Sequence, residues 1–155
     1  MRKVLVLLVF VAGCLNGYSQ QKSKLVGQWK VIGLQNDMMY VNFKTDSLYV
    51  DTSIENDPGD EMIEMYRGLF GRWQYCFLKN GQYAMLEGDA SVLATGTYKA
   101  NRENKVIQIR FIKEGETKTI NYTWALNSDG NLLLRNAEKE GFTLVMQKVA
   151  QRNSI

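Results

Sequence analysis

From Leu25 onward, apolar and polar residues alternate with period two between short turn signals, the pattern of strands with one buried and one wet face. Leu25 to Leu34 is the first such run. Met39 to Val50 is the second, bent or broken near Lys44-Thr45-Asp46. Trp73 to Leu78 leads through Lys79-Asn80-Gly81 into Gln82 to Glu87. An Asn-Gly pair between two apolar runs predicts a hairpin, because both central residues can take positive φ. Leu93 to Ala100 turns at Asn101-Arg102-Glu103-Asn104 into Lys105 to Lys113, which turns at Glu114-Gly115-Glu116-Thr117 into Lys118 to Leu126. Asn127-Ser128-Asp129-Gly130 leads to Asn131 to Arg135, and Glu138-Lys139-Glu140-Gly141 leads to Phe142 to Val149. Connections this short make each strand antiparallel to the one before it. The expected fold is all-β: an antiparallel up-and-down barrel of about eight to nine strands, closed because an open meander leaves adhesive edges.

One segment follows a different period. Between Asp57 and Gly71, Met62, Met65, Tyr66, Leu69 and Phe70 fall at i, i+3, i+4, i+7 and i+8, one face of a helix over about residues 58–70. Asp57 suits its cap, Pro58 its first position and Gly71 its exit. A Met-rich aromatic face inserted between early strands predicts either a lid over the barrel mouth or a plug that buries one open end.

The strands also show which faces turn inward. Trp73, Tyr75 and Phe77 share a face, as do Ile120, Tyr122, Trp124 and Leu126. Tyr40, Trp73, Tyr75, Tyr83, Tyr98, Phe111, Tyr122, Trp124 and Met146 are therefore the candidate lumen residues. Rings with polar tips suit an apolar interior that hydrogen-bonds a guest, and equally a filled core with hydroxyls at its rim.

The N-terminus changes the picture of where the domain begins. Met1-Arg2-Lys3 is basic and Val4 to Gly13 is an unbroken apolar run, shorter than the ~20 residues that span a bilayer. It reads as an export signal over residues 1–19, leaving the barrel domain over 20–155 and a location in the periplasm or outside the cell. Val11-Ala12-Gly13-Cys14 admits a second processing route, in which Cys14 is lipidated and the domain becomes a membrane-anchored lipoprotein. With Cys14 removed or acylated, Cys76 is an unpaired thiol, either a reactive residue or a small side chain on a strand.

Charge and chemistry then remove function classes. The chain carries 19 basic and 16 acidic residues. Loss of Arg2 and Lys3 with the leader leaves 17 against 16, a net of +1, so no field draws nucleic acid or an anionic membrane. Membrane association is expected only through an anchor at Cys14. Histidine is absent, which excludes a Ser-His-Asp or Cys-His arrangement and the His-rich zinc sites. Asp57, Asp60, Glu61 and Glu64 begin a helix, where they complement its dipole, and lack calcium-loop spacing. The chain reads as non-catalytic, with no metal and no cofactor.

"LVGQWKV" at the head of the first strand, "FLKNGQYAM" in mid-chain, "ATGTYKA" before a further turn and the closing "GNLLLRN" and "GFTLVMQKV" together resemble the lipocalin-like domains of secreted bacterial proteins and lipoproteins, over residues 24–149. The mid-chain Thr-Asp-Tyr loop of lipocalins proper is missing, as is the Arg-x-Tyr on the last strand of fatty-acid-binding proteins. The resemblance implies a calyx with a small hydrophobic or amphipathic guest. It further implies that Gly27 and Trp29 form the barrel floor, with Arg135, or alternatively Lys148, as the late cation over the tryptophan.

Overall fold

The computed structural model describes residues 24–51, 59–88, 91–101, 103–138 and 141–150. Ten strands appear among them: β1 (Gly27–Gln35), β2 (Met39–Asn42), β3 (Ser47–Val50), β4 (Trp73–Phe77), β5 (Gln82–Glu87), β6 (Ser91–Asn101), β7 (Val106–Lys113), β8 (Glu116–Leu126), β9 (Leu132–Asn136) and β10 (Thr143–Lys148). Eight of them, β1 and β4 to β10, close an antiparallel ring as expected, because β10 pairs back onto β1 from Trp29↔Lys148 to Gln35↔Thr143.

The ring departs from a plain meander at β1. Along the edge opposite β10, Gly27 to Lys30 pair with β4 and Gly33 to Gln35 pair with β2. The run over Met39–Val50, expected as bent or broken near Lys44-Thr45-Asp46, is broken there into the β2–β3 hairpin, which stands beside the ring. A bulge between Val31 and Gly33 changes the register where β1 passes from one neighbour to the other.

The hairpins obey their turns. Leu78 N donates to Gln82 O at 2.9 Å and Gly81 N donates to Leu78 O at 3.0 Å, with only Gly81 at positive φ, +83°. The expected hairpin forms as a three-residue loop closed by a left-handed glycine, and of the two residues that can take positive φ only Gly81 does. Asn80 serves through its side chain instead, its Oδ1 accepting from Gln82 N at 3.0 Å. The turn with two positive φ values lies at Glu114 (+55°) and Gly115 (+81°), where Lys113 faces Glu116.

Curvature needs close backbone approach at β6. A Cβ on Gly96 would collide with the Arg110 carbonyl oxygen of β7, so only glycine fits there. Inside, Trp29, Val31, Leu34, Tyr75, Phe77, Tyr83, Tyr98, Ile107, Ile109, Trp124, Leu132, Leu134, Leu144 and Met146 form one buried cluster, joined by Leu25. Val41, Ile63 and Val145 are buried outside it.

The helix spans Gly59–Phe70. Asp57 and Pro58, the expected cap and first position, lie outside the described residues, as do the leader and Cys14. Gly71 N donates to Arg67 O at 2.8 Å, but Gly71 does not take the left-handed conformation of a glycine exit. The inward face also needs correction. Met65 and Leu69 are exposed, 50% and 54%, while Ile63 is buried at 6%. Tyr66 and Phe70, spaced i and i+4, pack on the barrel's core, while Ile63 is buried outside that cluster and Met62 is half-buried.

Candidate functional site

The helix bridges the beginnings of β4 and β10. Tyr66 meets Phe142 edge-on at 5.1 Å between ring centroids, and Phe70 meets Trp73 edge-on at 4.8 Å. Tyr66, Phe70, Trp73 and Phe142 are all half-buried and pack on the main cluster. Arg67, in the last turn, pairs with Glu64 on its own helix and with Asp46 in the β2–β3 turn. One end of the barrel thus carries an aromatic cap, tied at its side to the hairpin that β1 sends out of the ring.

The opposite end is packed tightly by rings. Phe77 contacts Tyr83 at 5.7 Å and Tyr98 edge-on at 5.0 Å, and the Tyr98 hydroxyl donates to Leu78 O at 2.9 Å. Trp29 closes this end, its Nε1 donating to Leu25 O at 2.8 Å. Gly27 sits at φ +140°, and a Cβ there would fall 2.5 Å from Lys148 Cε. The missing side chain lets the Lys148 stem cross Gly27 and set its ammonium 5.4 Å from the Trp29 ring centroid, a cation–π contact. Arg135 is not the partner of Trp29: it is exposed, between Thr123 and Thr143 on the outer face. In an antiparallel strand the face follows from parity, and Arg135 neighbours the inward Leu134.

Between the two ends, Tyr75, Tyr83 and Tyr122 converge. Burial pushes all three hydroxyls above the ordinary tyrosine value. For Tyr75, proximity of Tyr83 and Tyr122 adds to that shift, and Tyr122 adds to that of Tyr83. All three are protonated at neutral pH and offer O–H donors. Among the described residues, no hydrogen-bond partner holds any of the three hydroxyls.

The remaining candidates divide. Trp124 and Met146 belong to the buried cluster, and Phe111 packs against it half-buried. Tyr40 lies elsewhere: it stacks on Tyr49 at 6.2 Å in the β2–β3 hairpin and covers Gly33 of β1. Its strand is outside the ring, which removes it from the lumen. Cys76 alternates with the inward Tyr75 and Phe77, and burial raises its thiol, which disfavours the reactive thiolate. Phe77 and Phe142 are interior contacts that the candidate set lacked. Phe77 was legible from parity with Tyr75, whereas nothing local marks Phe142 as the partner of Tyr66. Among the described residues, no three His, Cys, Asp or Glu side chains group to hold a metal ion. None of the described helices is long and apolar enough to cross a membrane.

No family model and no curated protein matches the chain. Among solved structures, it is similar to a DUF4847 family protein from Bacteroides vulgatus ATCC 8482, with 15% identity over 80% of this chain and 94% of that one, at a TM-score of 0.47.

Proposed function

We propose that this barrel is an exported, non-catalytic, lipocalin-like carrier of a small amphipathic molecule, held at mid-barrel beneath the helical cap. The observation that carries the reading is the group of three inward tyrosine hydroxyls, Tyr75, Tyr83 and Tyr122, which lack protein partners among the described residues. None of the three oxygens is fully enclosed, since Trp124 Nε1 is the fully buried side-chain polar atom without a partner among the described residues, so each borders accessible space where a guest's acceptor can meet it. Three protonated donors set among aromatic and aliphatic side chains match a guest with an apolar body and an acceptor oxygen, such as a carbonyl, ether or alcohol. Trp73, Phe111 and Met85, half-buried against the cluster, supply the apolar wall.

A second reading has its own observation. The contacts of Phe77 with Tyr83 and Tyr98 fill the Trp29 end with protein, as a filled barrel acting through its outer surface would require. Titration of natively purified protein with a hydrophobic fluorophore carrying a carbonyl separates the two, with non-denaturing mass spectrometry to detect a retained guest. The carrier reading expects saturable binding, weakened about fivefold by Tyr122→Phe if one ordinary hydrogen bond is lost. An unresponsive protein with no added mass, or binding indifferent to Tyr122→Phe and Tyr75→Phe, leaves the filled barrel standing.

A further inference from the structure

On the outside of the ring, a cleft of about 320 Å³ lies against β8, β9, β10 and the β6–β7 turn. Two cations line it, Lys105 and Arg135, with two hydroxyl residues, Thr123 and Thr143, and two apolar ones, Ala125 and Leu133. The register explains the grouping. Arg135 pairs directly with Thr123 on one side and Thr143 on the other, and Ala125 and Leu133 form the next outward row. Opposite charges commonly pair across strands, yet this arginine has a threonine on each side. Among the described residues, neither Lys105 nor Arg135 has a carboxylate within ion-pair distance.

One backbone feature bears on the same place. Lys105 holds φ +52°, a conformation uncommon outside glycine, asparagine and aspartate, and its carbonyl accepts from Trp124 N at 2.8 Å. That bond fixes the lysine backbone beside the cleft. Trp124 itself turns its indole the other way, into the buried cluster, so the outer cleft is built by its neighbours Thr123 and Ala125.

We infer that this cleft binds a small organic anion: a carboxylate on a short apolar body. Arg135 and Lys105 take the charged end, the Thr143 hydroxyl adds a hydrogen bond while that of Thr123 donates to Arg135 O, and Ala125 and Leu133 meet the body. A guanidinium suits a carboxylate because its paired N–H groups match two oxygens. The volume lies at the small end for ligand pockets, which limits the guest to a single ring or a short chain. The site is separate from the mid-barrel tyrosines and stands whether or not the lumen takes a guest.

The test is an NMR titration of the full chain at low salt with three probes: benzoate, its neutral counterpart benzamide, and inorganic phosphate. The expected result is saturable benzoate-induced shifts at Lys105, Thr123, Arg135 and Thr143, with benzamide at least about tenfold weaker. Arg135→Gln should weaken benzoate by a similar factor, Arg135→Lys by less, and neither should alter the melting temperature, since the side chain is exposed. The inference is overturned by non-saturable shifts, by equal binding of benzamide, by unchanged binding in Arg135→Gln, or by shifts confined to the interior tyrosines. Phosphate binding tighter than benzoate overturns the organic part, because the apolar pair would then contribute nothing.

Discussion

Raising the pH should loosen this barrel from the inside. In the unfolded chain Tyr75 and Tyr83 ionise near their ordinary value of 10.0, whereas burial holds both well above it in the fold. Below pH 10 both hydroxyls are protonated in either state and contribute no pH dependence. Above it, only the unfolded chain releases protons and is stabilised, so stability falls as the pH climbs from 10 toward the native values. At about pH 11, each hydroxyl that stays protonated in the fold costs about 1.4 kcal/mol, roughly 3 kcal/mol for the pair. Tyr98 and Tyr122, also raised by burial, add to this. Against a total stability of about 5–15 kcal/mol, that is a large fraction. Urea unfolding at about pH 8 and about pH 11 measures it, and the midpoint should drop by about 1–3 M. Tyrosinate absorbance followed in parallel should show a fraction of the 8 tyrosines ionising only as the protein unfolds. The double variant Tyr75→Phe, Tyr83→Phe should flatten the pH dependence. A midpoint that stays level across this range, or native ionisation of both side chains near pH 10, would refute the interior placement of the hydroxyls.

Packing differences give two further expectations. Gly96→Ala forces a Cβ onto the Arg110 carbonyl oxygen, a backbone atom that cannot step aside, and should cost about 1–3 kcal/mol or more in chemical denaturation. On the helix, Ile63→Ala should cost about 2–5 kcal/mol and Met65→Ala no more than about 0.5, a contrast that thermal melts of the two variants read directly.

The strands were legible because alternation and turn chemistry are local. Asn127 to Gly130 reads as a turn, and it folds as one, with Gly130 N donating to Asn127 O at 3.0 Å. Adjacency was less legible. Short loops make neighbours in the chain antiparallel, but they do not reveal that β1 leaves its hairpin partner to bond β4, a pairing separated by the whole helix. The helix itself was visible by its period, while its inward face was displaced. Methionine and leucine counted as core by type, yet rotation of the face is decided by what the barrel presents, here Phe142 and Trp73. Arg135 was misplaced for a related reason: the resemblance called for a late cation near Trp29, and Lys148 reaches that ring across Gly27. The mid-barrel tyrosines share inward parity in the sequence. Their convergence from β4, β5 and β8 is a property of ring closure, which no single segment encodes.

The joining of β10 to β1 has a temporal side. The first strand of the ring has its outer edge satisfied only by the last, so a chain emerging from the ribosome N-terminus first holds two unmatched borders until Thr143 to Lys148 have been made. Losing that six-residue strand would leave β9 and β1 with bare amides and carbonyls, a template for gluing one molecule to another. The strand that closes the ring, not those in its middle, determines whether the sheet seals or keeps two adhesive borders.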